Sequence, residues 1–127
     1  MANTFLIDGH NFSNLREFYA EFRRVLTPGI WWGDNLDAFA DVLRGGFGTP
    51  DEGYTLVWKN SDVSKQRLGH SATVAELERR LTRAHPAART EIEERIAAAK
   101  RGIGPTVFDW LVDEIRTENP KIELKFE

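Results

Sequence analysis

The 127-residue sequence contains no cysteine, one methionine and no long hydrophobic run. The absence of cysteine excludes a disulfide framework and a thiolate metal site. No stretch approaches the roughly 20 apolar residues that a transmembrane helix requires, so we predict no membrane association. Residues 1–4 lack the basic start and the apolar region of a secretion signal, so we expect a cytoplasmic protein.

Sequence motifs of enzymes and cofactor-binding proteins are also missing. The three histidines, His10, His70 and His85, are scattered without ligand spacing, which argues against a metal site. Gly102 and Gly104 lie between predicted helices and follow no strand, so they do not form a nucleotide-binding loop. No serine or histidine lies in a nucleophile motif. We therefore expect no catalytic residue, no metal and no cofactor.

The charge of the chain is unevenly distributed. Residues 62–106 contain nine lysines and arginines and six acids, so they carry +3, whereas the whole chain carries −3 and the remainder therefore −6. Direct binding of nucleic acid depends on lysine and arginine, so the acidic remainder argues against it. An acidic body favours a cationic protein partner, because electrostatic steering accelerates their association.

Alternation of β-rich runs with helical periodicity predicts an α/β fold. Short strands are expected at 4–7, at 54–59 and near 122–126. Because helices separate these strands, a parallel sheet with crossover connections is expected. Ser13 is the expected N-cap of the first helix, and two further helices are expected at 73–84 and 87–101.

The most distinctive segment runs from residue 30 to residue 41 and combines two tryptophans, a glycine and three acids without a lysine or arginine. Asp34 or Asn35 is suited to cap the helix that follows, because a short side-chain oxygen accepts a first-turn N–H. Asp37 and Asp41 are four residues apart and share a helix face. The residues alone leave two interpretations open. Either this is a solvated acidic face beside core tryptophans, or it is a negative surface with aromatic flanks that binds a positive cleft.

Residues 31–41, Trp-Trp-Gly-Asp-Asn-Leu-Asp-Ala-Phe-Ala-Asp, resemble the segment Tyr-Tyr-Gly-Glu-Asn-Leu-Asp-Ala-Leu-Trp-Asp of the barstar family, whose type member is the intracellular inhibitor of the secreted ribonuclease barnase. The resemblance covers 4–47 well, 56–58 loosely and 107–126 in pattern, whereas 69–106 has no counterpart. It implies a single barstar-like α/β domain over 1–127. This domain would contain a small three-stranded parallel sheet packed with helices in two or three layers, and a helical insertion at about 69–106.

The function implied by the resemblance is inhibition of a small microbial ribonuclease of the guanyl-specific type, in a one-to-one complex with a monomeric, cytoplasmic bacterial inhibitor. Asp41 would enter the nuclease active site at a substrate-phosphate position, Asp37 would contact the basic rim, and Glu114 would supply a third acidic contact. The first tryptophan would lie against the active-site histidine of the nuclease, facing outward, with the second partly inward. The partner-binding residues implied in this way are Trp31, Trp32, Gly33, Asp34, Asn35, Asp37, Ala38, Asp41, Arg44, Gly45 and Glu114.

Two departures from the family pattern, together with the cationic insertion, indicate a partner other than barnase. Ala40 and Gly46 stand where the family has tryptophans. One alternative function is an immunity protein that neutralises a toxin nuclease. A more remote alternative is a hydrolase that uses Asp37 and Asp41 as an acid/base pair. A third is a module that stacks sugars or bases on Trp31 and Trp32.

Overall fold

The computed structural model describes residues 3–127, which form an α/β structure with a three-stranded parallel sheet. Strand β1 (Asn3–Asp8) pairs with β2 (Tyr54–Lys59), and β2 pairs with β3 (Glu123–Phe126), so the order is β1-β2-β3. The fold class predicted from the sequence is confirmed. A 3₁₀ turn at Gly9–Asn11 follows β1, and the helices are α1 (Leu15–Leu26), α2 (Leu36–Arg44), α3 (Ser61–Arg67), α4 (His70–Leu81), α5 (Pro86–Lys100) and α6 (Val107–Glu118).

One face of the sheet packs against the helices and the other lies open. The register places Ile7 opposite Trp58 and Trp58 opposite Phe126, and both Ile7 and Trp58 are buried in the core. Residues that alternate with them point to the opposite face. On that face Leu6 is 48% exposed and Lys125 is exposed, whereas Val57, which lies between them on the central strand, is buried. Of the two arrangements expected, the structure therefore has the two-layer one.

Helix α1 supplies the aromatic centre of the core. Phe18, Tyr19 and Phe22 recur at helical spacing and are buried, as their periodicity predicts. The expected N-cap was wrong by one residue. The side chain of Asn14, and not of Ser13, accepts the free amide of the first turn, at 2.9 Å from the Glu17 nitrogen. Both residue types are good caps, so their adjacent positions could not be distinguished from the sequence.

Glu21 is a buried acid that joins α1 to the end of β1. Its Oε2 accepts hydrogen bonds from the Asp8 amide at 3.0 Å and from Asn11 Nδ2 at 2.9 Å. Its Oε1 accepts two more from Arg24, at 2.8 and 3.1 Å. Burial raises the pKa of Glu21, but the hydrogen bonds from Asn11, Asp8 and Arg24 outweigh it, so the pKa is below its ordinary value. The charged form is therefore the one that stabilises the fold.

We predict that Glu21→Gln lowers the free energy of unfolding by about 1–3 kcal/mol at neutral pH, because one oxygen acceptor becomes a donor that faces other donors. Since the folded-state pKa is lowered, this stabilising effect is present above the unfolded-state pKa. It is lost as the pH falls through the folded-state value. Urea denaturation at neutral pH and near pH 3 should show the difference from wild type shrinking in acid. A difference that stays constant would contradict the assignment.

Helices α4 and α5 form most of the segment 69–106. The structure confirms two helices here, although α4 begins three residues earlier than expected. Pro86 occupies the first turn of α5, where proline is tolerated. Part of the positive charge is used internally, since the guanidinium groups of Arg80 and Arg95 lie over the Trp110 ring, at 4.8 and 5.4 Å from its centroid. These contacts tie both helices to α6. The interpretation of 69–106 as an insertion within a single domain stays a prediction.

Candidate partner-binding surface

Helix α2 displays two acids on its outer side. The side chain of Asn35 caps the helix by accepting the Ala38 amide at 2.8 Å, which settles the choice between Asp34 and Asn35. Phe39 and Leu43 are fully buried, so the helix is fixed from below. Asp37 and Asp41 are exposed, and Asp37 forms no ion pair within residues 3–127. The first two acids expected at the site therefore share one solvent-facing surface.

Helix α6 lies beside α2 and extends this surface. The Nε of Arg44 donates to Glu118 Oε2 at 2.6 Å, and its Nη1 donates to Asp41 Oδ1 at 2.9 Å. The Asn119 side chain donates to the Leu43 carbonyl at 2.9 Å, at the ends of the two helices. Arg44 is thus a bridge between two acids, and we call Asp37, Asp41, Glu114 and Glu118 the acidic face.

Glu114 is the acid of this face that its neighbours crowd most. It is half-buried, and no hydrogen bond or ion pair is made to it from the described part of the chain. Burial raises the pKa of Glu114, and the negative charges of Glu118, Asp113 and Asp37 raise it further, against the opposing effect of Arg44. The positive charge of Arg44 therefore does not compensate the negative charge of the four acids of the acidic face.

The loop before α2 presents one tryptophan to solvent and buries the other. Trp31 is 69% exposed, and Trp32 is 4% exposed. The Trp32 ring stacks on Phe39 with centroids 6.1 Å apart, and its Nε1 donates to Thr27 Oγ1 at 2.9 Å. The expected orientation is confirmed for Trp31, whereas Trp32 is buried more completely than the partly inward position expected. Trp32 thus supports the loop from inside.

Asp34 and Gly33 both have roles within the protein. Asp34 Oδ1 accepts from Arg23 Nη2 at 2.8 Å, so this acid is largely neutralised by α1. A Cβ at Gly33 would lie 3.1 Å from the side-chain Nδ2 of Asn35 and 3.4 Å from the Ala38 Cβ. Glycine therefore leaves room for the capping side chain of α2. Gly45 ends α2 with φ at +112°, a conformation that favours glycine.

Comparison with known protein families identifies the family of the chain. A family model described as "Barstar (barnase inhibitor)" matches residues 2–102, about four fifths of the chain. The chain belongs to the barstar family. Family membership implies a barnase-type ribonuclease inhibitor or a related immunity protein, and barstar-family members are inhibitors, not enzymes. No curated protein sequence matches the chain.

The barstar match takes in the loop, all of α2 and most of the segment 69–106, and it ends before α6 and β3. The acids of α6 therefore lie outside the matched residues, and the fold places them beside α2, which lies within the match. Within the described residues, no helix is both long enough and apolar enough to cross a membrane. No cluster of three potential metal ligands occurs in the same part of the chain.

The two departures from the barstar pattern differ in where they fall. Ala40 is 4% exposed, so the missing tryptophan there changes the packing beneath α2. Gly46 is exposed, and a Cβ added to it would meet no atom within 4 Å. Of the two departures, only the one at Gly46 therefore changes the exposed surface, at the C-terminal end of α2 beside Gly45.

Two residues that shape this surface, Glu118 and Arg23, were not among those predicted from the sequence. Glu118 lies one turn after Glu114 on α6, a spacing that places both acids on one side of the helix and could have revealed it. Arg23 lies in α1, and its Nη2 contacts the Trp32 carbonyl and Asp34. Charge periodicity gave no signal for Arg23, because it depends on how the loop folds back on α1.

Proposed function

We propose that this barstar-family protein inhibits a cationic ribonuclease or toxin nuclease by covering the active site of the nuclease with the acidic face and Trp31. The protein acts as a cytoplasmic monomer in a one-to-one complex. The observation that carries the proposal is the gathering of four acids on α2 and α6 beside an exposed tryptophan. A single arginine, Arg44, pairs with two of these acids. Substrate phosphates are anionic, so carboxylates can replace them against arginine, lysine and histidine side chains.

Burial separates the residues that can contact a partner from those that support the surface. Asp37 and Asp41 are exposed, and the capped helix fixes their backbone, so binding has to order only two short side chains. Trp31 offers a large, rigid area of the kind that anchors protein interfaces. Asp34, Asn35 and Trp32 hold the loop and the helix in this arrangement. A hydrolase that uses Asp37 and Asp41 is not favoured, because Asp41 is exposed and already paired with Arg44.

Glu114→Gln should separate binding from stability. Because the pKa of Glu114 is raised above its ordinary 4.5 in the free protein, the charged form destabilises the fold as the pH rises through the raised value. The variant should therefore be slightly more stable than wild type at neutral pH, and bind the nuclease about tenfold more weakly.

The pH dependence of binding gives Glu114 a second signature. A cationic partner lowers the raised pKa of Glu114, so complex formation releases protons, and wild-type affinity rises with pH across the interval between the bound-state and free-state pKa values. Calorimetry in buffers of different ionisation enthalpy would measure the proton released. Loss of that release in Glu114→Gln is expected, and an unchanged release in the variant would contradict the assignment.

The test of the proposed function is a titration of the protein into fixed amounts of barnase, other small guanyl-specific ribonucleases and toxin nuclease domains while RNA cleavage is followed. Activity should fall linearly to zero at one equivalent for the true target. The titration would be repeated with Asp41→Ala. Asp62→Ala is the matched control for that variant, because Asp62 is an exposed acid on α3 without an ion pair in the described residues. Full activity of every nuclease at a large excess of the protein would contradict the proposal. Inhibition confined to toxin nucleases would identify it as an immunity protein.

A further inference from the structure

Arg23 occupies the space between α1 and the loop that carries the tryptophans. Its guanidinium lies 4.3 Å from the centroid of the Trp31 ring and 4.7 Å from that of Trp32. Its Nη2 also donates to the Trp32 carbonyl at 3.0 Å and to Asp34 Oδ1 at 2.8 Å. One side chain of a helix thus contacts both rings, the Trp32 carbonyl and Asp34 in the same loop.

These contacts hold Trp31 in a way that burial does not. Trp31 is largely exposed, so apolar packing cannot fix its ring. A cation over an indole face attracts it, and the planar guanidinium can also stack. The same group also holds the backbone of the next residue, because it donates to the Trp32 carbonyl. Removal of this group would leave the exposed ring free to choose among several rotamers.

The contacts of Arg23 are also costly for stability alone. The Arg23 side chain is 17% exposed, and its Nε is buried without a hydrogen-bond partner among residues 3–127. A buried donor left unpaired destabilises a fold. Trp32, by comparison, is buried and has further contacts that do not involve the guanidinium, with Phe39 and Thr27. The loop core would therefore survive without Arg23, whereas the position of Trp31 would not.

We propose that Arg23 is a positioning residue for partner binding, which orders the Trp31 ring in the free protein so that the partner meets a preformed aromatic surface. This inference rests on the proposed function, and it adds a residue that need not touch the nuclease. A preordered contact loses less conformational entropy on binding. Arg23 should therefore act through Trp31, and its effect should vanish when Trp31 is absent.

The test combines two substitutions, Arg23→Gln and Trp31→Ala, in a double-mutant cycle on the dissociation constant for the target nuclease. Each single change should weaken binding about tenfold or more, and the double variant should be little weaker than Trp31→Ala. Arg23→Lys retains the charge without the planar fork and should recover part of the effect. Arg16→Gln is the matched control, because Arg16 is an exposed arginine of α1 whose nearest acid, Asp34, is 3.9 Å away. Strictly multiplicative effects of the two substitutions would overturn the proposal.

A second measurement uses the free protein and does not depend on any nuclease. The chain has four tryptophans, and subtraction of a Trp31→Phe variant isolates the fluorescence of Trp31. Arg23→Gln should make Trp31 more accessible to acrylamide quenching and shorten its anisotropy decay. Unchanged quenching and anisotropy would overturn the proposal even if the protein inhibits a nuclease. If the expected change appeared but no nuclease were inhibited, the proposed function would fail while the ordering role of Arg23 stood.

Discussion

Replacement of Asp41 by alanine is expected to weaken binding of the target nuclease by about 3–5 kcal/mol, roughly a hundredfold to several thousandfold. Asp41 lies between Asp37 and Arg44 on the exposed side of α2. Once it enters a nuclease active site, its carboxylate would be surrounded by cationic groups that have lost their water. Truncation would leave those groups desolvated and unpaired, which is the costly part of the change.

The role of Arg44 sharpens this prediction. In the free protein Arg44 bonds to both Asp41 and Glu118, and the hydrogen bond to Glu118 raises its pKa. In Asp41→Ala the arginine keeps Glu118, so the fold should lose little stability while binding collapses. Stopped-flow association and dissociation rates would measure the effect, with most of the change in dissociation. A loss of a few tenths of a kcal/mol, equal to that of Asp62→Ala, would contradict the assignment of Asp41.

Replacement of Trp32 by alanine should have the largest effect on folding, a loss of about 3–5 kcal/mol in the free energy of unfolding. The Trp32 ring packs on Phe39 and against Tyr19 and Phe22, and its Nε1 bonds to Thr27. Deletion of the ring leaves a cavity under the loop and frees the Thr27 hydroxyl. Guanidinium denaturation of the free protein measures the effect directly.

The neighbouring tryptophan is the matched control for this change. Trp31→Ala removes the same side chain from an exposed position, so stability should change by no more than about 0.5–1 kcal/mol while binding is weakened. Trp32→Ala should therefore mainly lower the stability of the free protein, and Trp31→Ala should mainly weaken the complex. Equal destabilisation by both would contradict the inward and outward assignment of the two rings.

Local patterns were enough to predict most of the fold. The β-branched and aromatic residues of Tyr54–Lys59 identified β2, and Thr106 has a residue type typical of the cap that it forms on α6 in a capping box with Asp109. These features depend on neighbours in the chain, which a sequence shows directly. The start of α4 was misplaced because Gly69, its N-cap, forms no side-chain cap bond and gives no signal.

The surface itself could be predicted only in part. Asp37 and Asp41 followed from helical spacing and from the family resemblance. The bond from Arg44 to Glu118 joins residues 74 positions apart, and that from Arg23 to Asp34 joins residues 11 apart. Such pairs depend on how the helices pack, which periodicity does not encode. The sequence placed Asp34 with Asp37 and Asp41 among the expected partner-binding residues, whereas the structure distinguishes Asp34, which is paired with Arg23, from two exposed acids.

The most direct test of the account is whether this protein and a nucleotide compete for the active site of the nuclease. The target ribonuclease would be saturated with guanosine 3′-monophosphate, and its association with the protein followed by the change in tryptophan fluorescence. If the acidic face and Trp31 cover the active site, association should slow in proportion to the fraction of enzyme that holds nucleotide. An association rate and affinity unchanged by the nucleotide would show that the protein binds elsewhere, and would contradict the account.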